Sequence, residues 1–142
     1  MRFASLGSGS RGNATLVQAG STTLLIDCGF GLADTRRRLG RLGLELSDLT
    51  AIMLTHEHGD HVAGVGPVAR AGRMPAWATP GPLAALAPPV RQLPPLPTIN
   101  SPAPLAIAAL SIPPFPVPHD GPATCHYLLS YRPRPLAAVT AP

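Results

Sequence analysis

The sequence has little of several residue types that define whole classes of protein. Only two of its 142 residues are cysteine, and aromatic side chains make up 4% of it. Two cysteines without Cys-x-x-Cys spacing exclude a disulfide-dense scaffold. Charged residues make up only 13% of the chain and hydrophobic residues 45%, a balance typical of a globular protein and not of a disordered tail.

Long apolar runs are also missing. No stretch approaches the roughly 18–20 apolar residues of a membrane-spanning helix. The opening residues Met1–Ser5 lead straight into strand-like sequence, without the apolar segment and cleavage site of a signal peptide. The length suits one domain, residues 1–142, and we expect a cytoplasmic location.

Lysine is absent, so every basic side chain that is not histidine is an arginine, and the net charge is +4. Three arginines are consecutive, Arg36 to Arg38. A basic balance suits a phosphate-rich partner such as DNA. A charge run on an amphipathic helix is, however, commonly just its solvated face, so both interpretations stay open.

Hydrophobic periodicity and turn residues predict a mixed α/β chain. The predicted helices are Leu32–Leu42, Val62–Ala71, with irregular first turns at its glycines and Pro67, and Pro82–Ala87. The predicted strands are Arg2–Leu6, Thr15–Ala19, Thr22–Asp27, Ala51–Leu54, Pro75–Thr79, Leu105–Ile112, Phe115–Val117, Thr124–Tyr131 and Leu136–Thr140. We expect Trp77 to be a core residue.

Two segments stand out by composition. Residues Gly7 to Asn13 are rich in glycine and serine, and such a turn either presents backbone N–H groups to a phosphate or forms a tight hairpin. Residues 80–118 hold thirteen of the nineteen prolines. Because proline cannot donate to a strand ladder, we expect an irregular segment there, with short strands only.

The most informative stretch follows the buried strand Ala51–Leu54. Four metal-binding side chains fall within six positions: His56, His58, Asp60 and His61. Imidazole and carboxylate together suit zinc, manganese or iron. His56 and His58 alternate with Glu57, so an extended backbone directs both imidazoles to one side.

Gly59 then lets the chain turn, so that Asp60 and His61 can face a second point nearby. We therefore predict a loop that serves two neighbouring metal ions.

This pattern resembles the signature of the metallo-β-lactamase superfamily, and the likeness runs from Met1 to Thr140. The matching segments are Phe3–Thr15, Leu25–Gly29, the histidine loop, Thr79–Gly81 and Val117–Asp120, and they are similar to the YycJ-like (WalJ-like) branch. The resemblance implies an α/β fold, the αββα sandwich of two packed sheets with helices outside. Here it would be incomplete, with the N-terminal sheet and part of the second.

The resemblance also implies roles for individual residues. The first ion would be held by His56, His58 and His119, and the second by Asp60 and His61, with zinc or manganese as the metals. Asp60 would also orient the attacking water. The aspartate matching Asp27 supports the metal loop by hydrogen bonding; capping the following turn is the alternative. Cys28 is either a buried thiol or a further metal ligand.

Two family positions are not matched. Where the family has an aspartate bridging the two metals, Ala141 follows Thr140, and a later histidine ligand has no counterpart. We therefore expect one well-held ion and a weak second one, in a truncated or frame-shifted copy with the C-terminal part missing. Exposed sheet would then permit self-association.

The implied function is metal-assisted hydrolysis by an activated water, with phosphodiesters in DNA as the expected substrate of an exonuclease-like enzyme. Two alternatives remain open. The chain is either a catalytically impaired remnant that binds at most one metal, or a hydrolase of thioesters or other small molecules.

Overall fold

The computed structural model describes residues 1–55, 57–78, 105–108, 110–112, 114–116, 125–131 and 134–138, and of residues 105, 114–116, 125–128 and 134–138 only the backbone. The predicted helix Pro82–Ala87, most of the proline-rich segment 80–118, and residues His56, His119 and Asp120 lie outside this part of the chain. None of the helices in the described part is long and apolar enough to span a membrane.

The first sheet has five strands that neighbour one another in chain order. They are β1 (Arg2–Gly7), β2 (Ala14–Ala19), β3 (Thr22–Ile26), β4 (Ala51–Leu54) and β5 (Ala76–Ala78). The first three are antiparallel, and β3, β4 and β5 run parallel. The predicted strands Thr15–Ala19 and Thr22–Asp27 are confirmed as the arms of a hairpin. Its turn passes through Gly20 at φ +60°, which glycine adopts at no steric cost.

Helices connect the parallel strands, as parallel pairing requires. Helix α1 (Leu32–Gly40) and a 3₁₀ turn (Leu46–Asp48) lie between β3 and β4. Helices α2 (Gly59–Val62) and α3 (Val65–Gly72) lie between β4 and β5. The predicted helix Val62–Ala71, with irregular first turns, is confirmed as α3 over most of its length. A break at Ala63–Gly64 separates α3 from α2, which the prediction did not include.

The second sheet is formed by later residues: β6 (Leu105–Ile107), β7 (Leu110–Ile112), β8 (Pro114–Pro116), β9 (Cys125–Tyr131) and β10 (Arg134–Ala138). Its order is β10-β9-β7-β6, and β8 pairs with β9. The predicted strand Leu105–Ile112 is wrong, because β6 and β7 are the two arms of a hairpin. The turn passes through Ala108 at φ +50°, and neither glycine nor proline marks it in the sequence.

Both faces of the first sheet are buried. Leu25, Ile52 and Leu54 belong to a core shared with α1 and α3. Their neighbours Leu24, Ile26 and Met53 point to the opposite face and pack with residues of the second sheet, as alternation along a strand requires. The apolar runs at β3 and β4 are continuous because these strands have no solvated face.

These layers confirm the predicted fold class, with helices on one face of a sheet and a second sheet on the other. The second core contains Ile107, Leu110, Ile112 and Leu129 from the second sheet. Trp77 is partly buried against this core, so it belongs to the core only in part.

Two glycines allow the segments after β3 and β4 to touch. A Cβ atom on Gly29 would lie 1.8 Å from the backbone oxygen of Asp60, and one on Gly64 would lie 1.8 Å from that of Phe30. Direct backbone hydrogen bonds fill this space: Cys28 donates to His61 at 2.7 Å, and Gly64 donates to Cys28 at 2.8 Å. Because Gly29 and Gly64 have no side chains, α2 can pack directly against the end of β3.

Replacing Leu25 by alanine should lower the free energy of unfolding by about 2–5 kcal/mol, because the side chain is fully buried and its removal leaves a cavity. Urea denaturation measures the change. Leu42→Ala is the control, since Leu42 is 47% exposed and its truncation should cost under about 0.5 kcal/mol. Equal losses for the two variants would contradict this placement of the core.

Gly29→Ala should lower the free energy of unfolding by about 1–3 kcal/mol or more, because the new methyl group meets the Asp60 backbone. Gly40→Ala is the matched control. A Cβ at Gly40 meets nothing within 4 Å, and alanine is the better helix former. Urea denaturation that leaves Gly29→Ala as stable as Gly40→Ala would refute the contact.

Candidate metal centre

The polar residues of interest meet where parallel strands β3 and β4 end. Asp27 directly follows β3, Thr55 directly follows β4, and Asp60 and His61 lie in the first turn of α2. Asn13 joins them from the end of the Gly/Ser turn. In α/β folds the carboxyl ends of parallel strands are the usual place for a binding site. Placing Asp60 and His61 in a helical turn corrects the prediction that all four motif residues lie on a loop.

Asp27 is the most constrained residue of this group. It is 1% exposed and has φ +59°, a left-handed conformation that costs energy for any residue other than glycine. Its backbone N–H donates to Met53 at 2.8 Å. Its carboxylate accepts from the Thr55 N–H at 2.9 Å and from the Thr55 hydroxyl at 2.8 Å. The surrounding hydrogen bonds hold Asp27 in place.

The same carboxylate fixes the imidazole of His61. Asp27 Oδ2 lies 2.8 Å from His61 Nδ1, and the carboxylate can only accept when ionised, so Nδ1 carries the proton. The neutral ring then has its lone pair on Nε2. His61 is 4% exposed, and the carboxylate–histidine pair is the arrangement that orients metal-binding histidines in proteins.

His61 Nε2 and Asp60 face the same point. The distance from Nε2 to Asp60 Oδ2 is 3.6 Å. Two ligands of one tetrahedral ion at ordinary metal–nitrogen and metal–oxygen lengths are separated by about 3.3–3.5 Å. The pair therefore suits a divalent cation in donor type and lies close to this spacing.

Asn13 completes the cluster. Its side-chain Nδ2 lies 2.8 Å from Asp60 Oδ2 and 3.1 Å from His61 Nε2. The backbone N–H of Asn13 donates to the backbone carbonyl of Asp60 at 2.7 Å, and the backbone carbonyl of Asn13 accepts from the Gly29 N–H at 3.0 Å. The sequence prediction assigned Asn13 only to a turn. The one available signal was its place at the end of a Gly/Ser run, where an amide side chain can reach neighbouring backbone.

The remaining predicted ligands are only partly placed. His58 is exposed and precedes the first residue of α2, while His56 and His119 lie outside the described residues. Among the residues that the structure describes, no group of three or more His, Cys, Asp or Glu side chains is arranged to hold a metal ion. The part of the predicted centre seen together is thus Asp60 and His61.

Cys28 is a buried thiol. It is fully shielded from solvent, and its Sγ faces the Phe30 carbonyl at 3.8 Å. Burial raises the pKa of the Cys28 thiol to about 12; a hydrogen bond with Thr35 acts the other way, and the nearby charge of Asp27 adds to the increase. A thiol held in its protonated form is a poor metal ligand.

A groove of about 770 Å³ lies along the Gly/Ser turn that precedes Asn13. It is lined by the Gly/Ser turn (Gly7–Gly12), by Phe30 and by three arginines and one aspartate: Arg11, Arg37, Arg38 and Asp34. Arg38 stacks on Phe30 at 3.8 Å from the ring centre, and both Arg37 and Arg38 contact Asp34. The turn joins antiparallel β1 and β2 as a hairpin and also forms one wall of a basic groove.

Part of the chain is similar in sequence to nucleases. It is 36% identical over 78 residues to an exodeoxyribonuclease YycJ of Bacillus anthracis, an alignment covering 55% of this chain and 30% of that protein. It is 50% identical over 54 residues to a ribonuclease Z of Methanopyrus kandleri, covering 38% and 18%. The chain thus aligns with less than a third of the length of these two relatives.

The fold also matches solved structures. A class B3 di-zinc metallo-beta-lactamase, LRA-12 from an Alaskan soil metagenome, superimposes with a TM-score of 0.70 at 13% identity, covering 88% of this chain and 54% of that one. At this level of identity the likeness shows the fold alone.

The sequence model of the metallo-beta-lactamase superfamily matches residues 7–137, almost the whole chain. Its span includes the Gly/Ser turn, Asp27, the histidine motif and the second sheet. Together with the layered fold and the Asp60–His61 pair at the strand ends, this match establishes the family. The chain belongs to the metallo-beta-lactamase superfamily.

Proposed function

We propose that the protein is a metal-dependent hydrolase of phosphodiester bonds in DNA. The observation that carries the proposal is the spacing of Asp60 Oδ2 and His61 Nε2, 3.6 Å apart, with the other imidazole nitrogen held by Asp27. The proposed ligands are His56, His58 and His119 for a first ion, and Asp60 and His61 for a second.

Asp27 and Asp60 have separate roles in the proposed mechanism. A bound divalent ion would lower the pKa of a coordinated water, so that hydroxide is available near neutral pH to attack the phosphorus. Asp27 keeps the proton of His61 on Nδ1 and leaves Nε2 as a ligand. Asp60 is 31% exposed at its side chain, so its carboxylate can also accept a hydrogen bond from the attacking water and orient it.

Two observations support a nucleic acid as the substrate. The named relatives are a deoxyribonuclease and a ribonuclease. The groove along the Gly/Ser turn is lined by three arginines and one aspartate, and arginine suits phosphate because of its planar, multiply donating guanidinium. We propose DNA rather than RNA because the opening segment Phe3–Thr15 resembles the YycJ-like branch; a ribonuclease Z of Mycobacterium marinum aligns with as much of the chain, 55%, as the exodeoxyribonuclease does.

Purified chain should bind zinc or manganese and hydrolyse linear DNA only with metal present. Asp60→Asn should reduce the rate at least about 100-fold, because it removes a ligand and the water-orienting carboxylate. Metal content by elemental analysis and nucleotide release from labelled DNA measure the two effects. Asp48→Asn, a change at an exposed turn, is the control.

The outcomes of this experiment are distinct. Metal-dependent cleavage of RNA or of a thioester, with DNA left intact, would replace the proposed substrate. Metal binding without any hydrolysis would make the chain a binding remnant, and DNA cleavage that survives chelation would refute the metal mechanism.

Asp27→Asn should weaken zinc binding about 10- to 100-fold, the usual effect of removing a carboxylate that orients a ligand. Asparagine tolerates φ +59° nearly as well as aspartate, so the backbone is preserved. Its amide cannot accept from all the donors that now surround the carboxylate, and unfolding should become easier by about 1–3 kcal/mol. Calorimetric titration with zinc, with Asp48→Asn as reference, checks this; unchanged affinity would exclude an orienting role for Asp27.

A further inference from the structure

The orientation of the Asn13 amide is fixed by its surroundings. The backbone N–H of Gly9 lies 2.9 Å from Asn13 Oδ1, and a backbone N–H can only donate. The amide oxygen therefore faces Gly9. The NH₂ group faces Asp60 and His61, with a further contact to the Gly9 carbonyl at 3.1 Å.

The NH₂ group of Asn13 thus points at the two atoms that would hold the second ion. It lies 2.8 Å from Asp60 Oδ2 and 3.1 Å from His61 Nε2. The positive end of an amide dipole stands where a cation would satisfy the same carboxylate and the same ring nitrogen.

We propose that the Asn13 side chain is a placeholder for the second metal ion, an inference that rests on the proposed metal site. Without metal, its NH₂ group satisfies Asp60 and His61 and keeps their donor atoms facing one point. Binding of a divalent cation displaces it from His61, and the strength of the second site is set by this competition.

The two ligands respond differently to displacement because they differ in lone pairs. A neutral imidazole has one lone pair on Nε2, so His61 cannot bind Asn13 and a metal together. A carboxylate oxygen accepts more than one partner, so Asp60 can keep its hydrogen bond from Asn13. Metal binding therefore breaks the contact with His61 and leaves the contact with Asp60.

The test is the isosteric change Asn13→Asp, which keeps an oxygen for the Gly9 N–H and replaces the donor with an oxygen that can serve as a third ligand beside Asp60 and His61. Without metal, the new carboxylate would face that of Asp60, so the variant should unfold at lower urea than wild type. With zinc, affinity should rise at least about tenfold, since ligand charge and number set the affinity for divalent ions. Calorimetric titration of the metal-free chain, residues 1–142, with zinc measures this.

Gln18→Glu is the matched control. It makes the same amide-to-carboxylate change on β2, where the side chain contacts Arg2 and Thr23, and should leave zinc affinity unchanged. If Asn13→Asp does not fold, the wild-type chain is measured instead. On zinc addition, the side-chain NH₂ resonances of Asn13 should shift in ¹H–¹⁵N spectra.

Two results would overturn the inference: zinc binding by Asn13→Asp no tighter than by wild type, or Asn13 NH₂ resonances that zinc leaves in place. Neither result touches the proposed reaction, which is judged by DNA cleavage; a chain that binds zinc as described but cleaves no DNA refutes only that proposal. Failure of wild type and variant alike to bind zinc removes the site and both proposals.

Discussion

The site depends first on the carboxylate of Asp27. It is buried, it occupies a left-handed backbone position, and it accepts hydrogen bonds from Thr55 and from His61. A buried charge without such donors costs several kcal/mol. The buried position of Asp27 is therefore stable only when the segment after β4, which supplies Thr55 and His61, is packed against the end of β3. One side chain thereby joins the end of β3 to the residues that follow β4 and sets the tautomer of the proposed ligand.

The backbone segments after β3 and β4 lie in direct contact, which lets the Asp27 carboxylate reach His61. Gly29 and Gly64 have no side chain, and in the space this leaves Cys28 exchanges backbone hydrogen bonds with His61 and Gly64. Asn13 arrives from the other side and hydrogen-bonds to Asp60 through both its backbone and its amide. Asp27 and Asn13 hold the ring nitrogen of His61 and the carboxylate oxygen of Asp60 3.6 Å apart. Hydrogen bonds that orient ligand side chains strengthen metal binding.

Much of the first sheet was predictable from local sequence, because its signals are local. Gly20 marks the β2–β3 hairpin, and the apolar runs of β3 and β4 show that both faces are covered. The hairpin between β6 and β7 was missed, since Ala108 turns the chain without glycine or proline. The helical turn α2 was also not predicted. Its residues belong to the metal motif, and the pattern of ligands in that motif suggested a loop.

The sequence by itself indicated the superfamily, the positions of the first strands and the candidate ligands, because imidazoles and a carboxylate clustered directly after an apolar strand form the donor set of a metal site. Only the tertiary structure decided which atoms meet. It paired Asp27 with His61 across 34 positions and Asn13 with Asp60 across 47, and it placed Arg37 and Arg38 of α1 in one groove with the Gly/Ser turn. Such contacts depend on the packing of distant segments, which no local pattern of residues encodes.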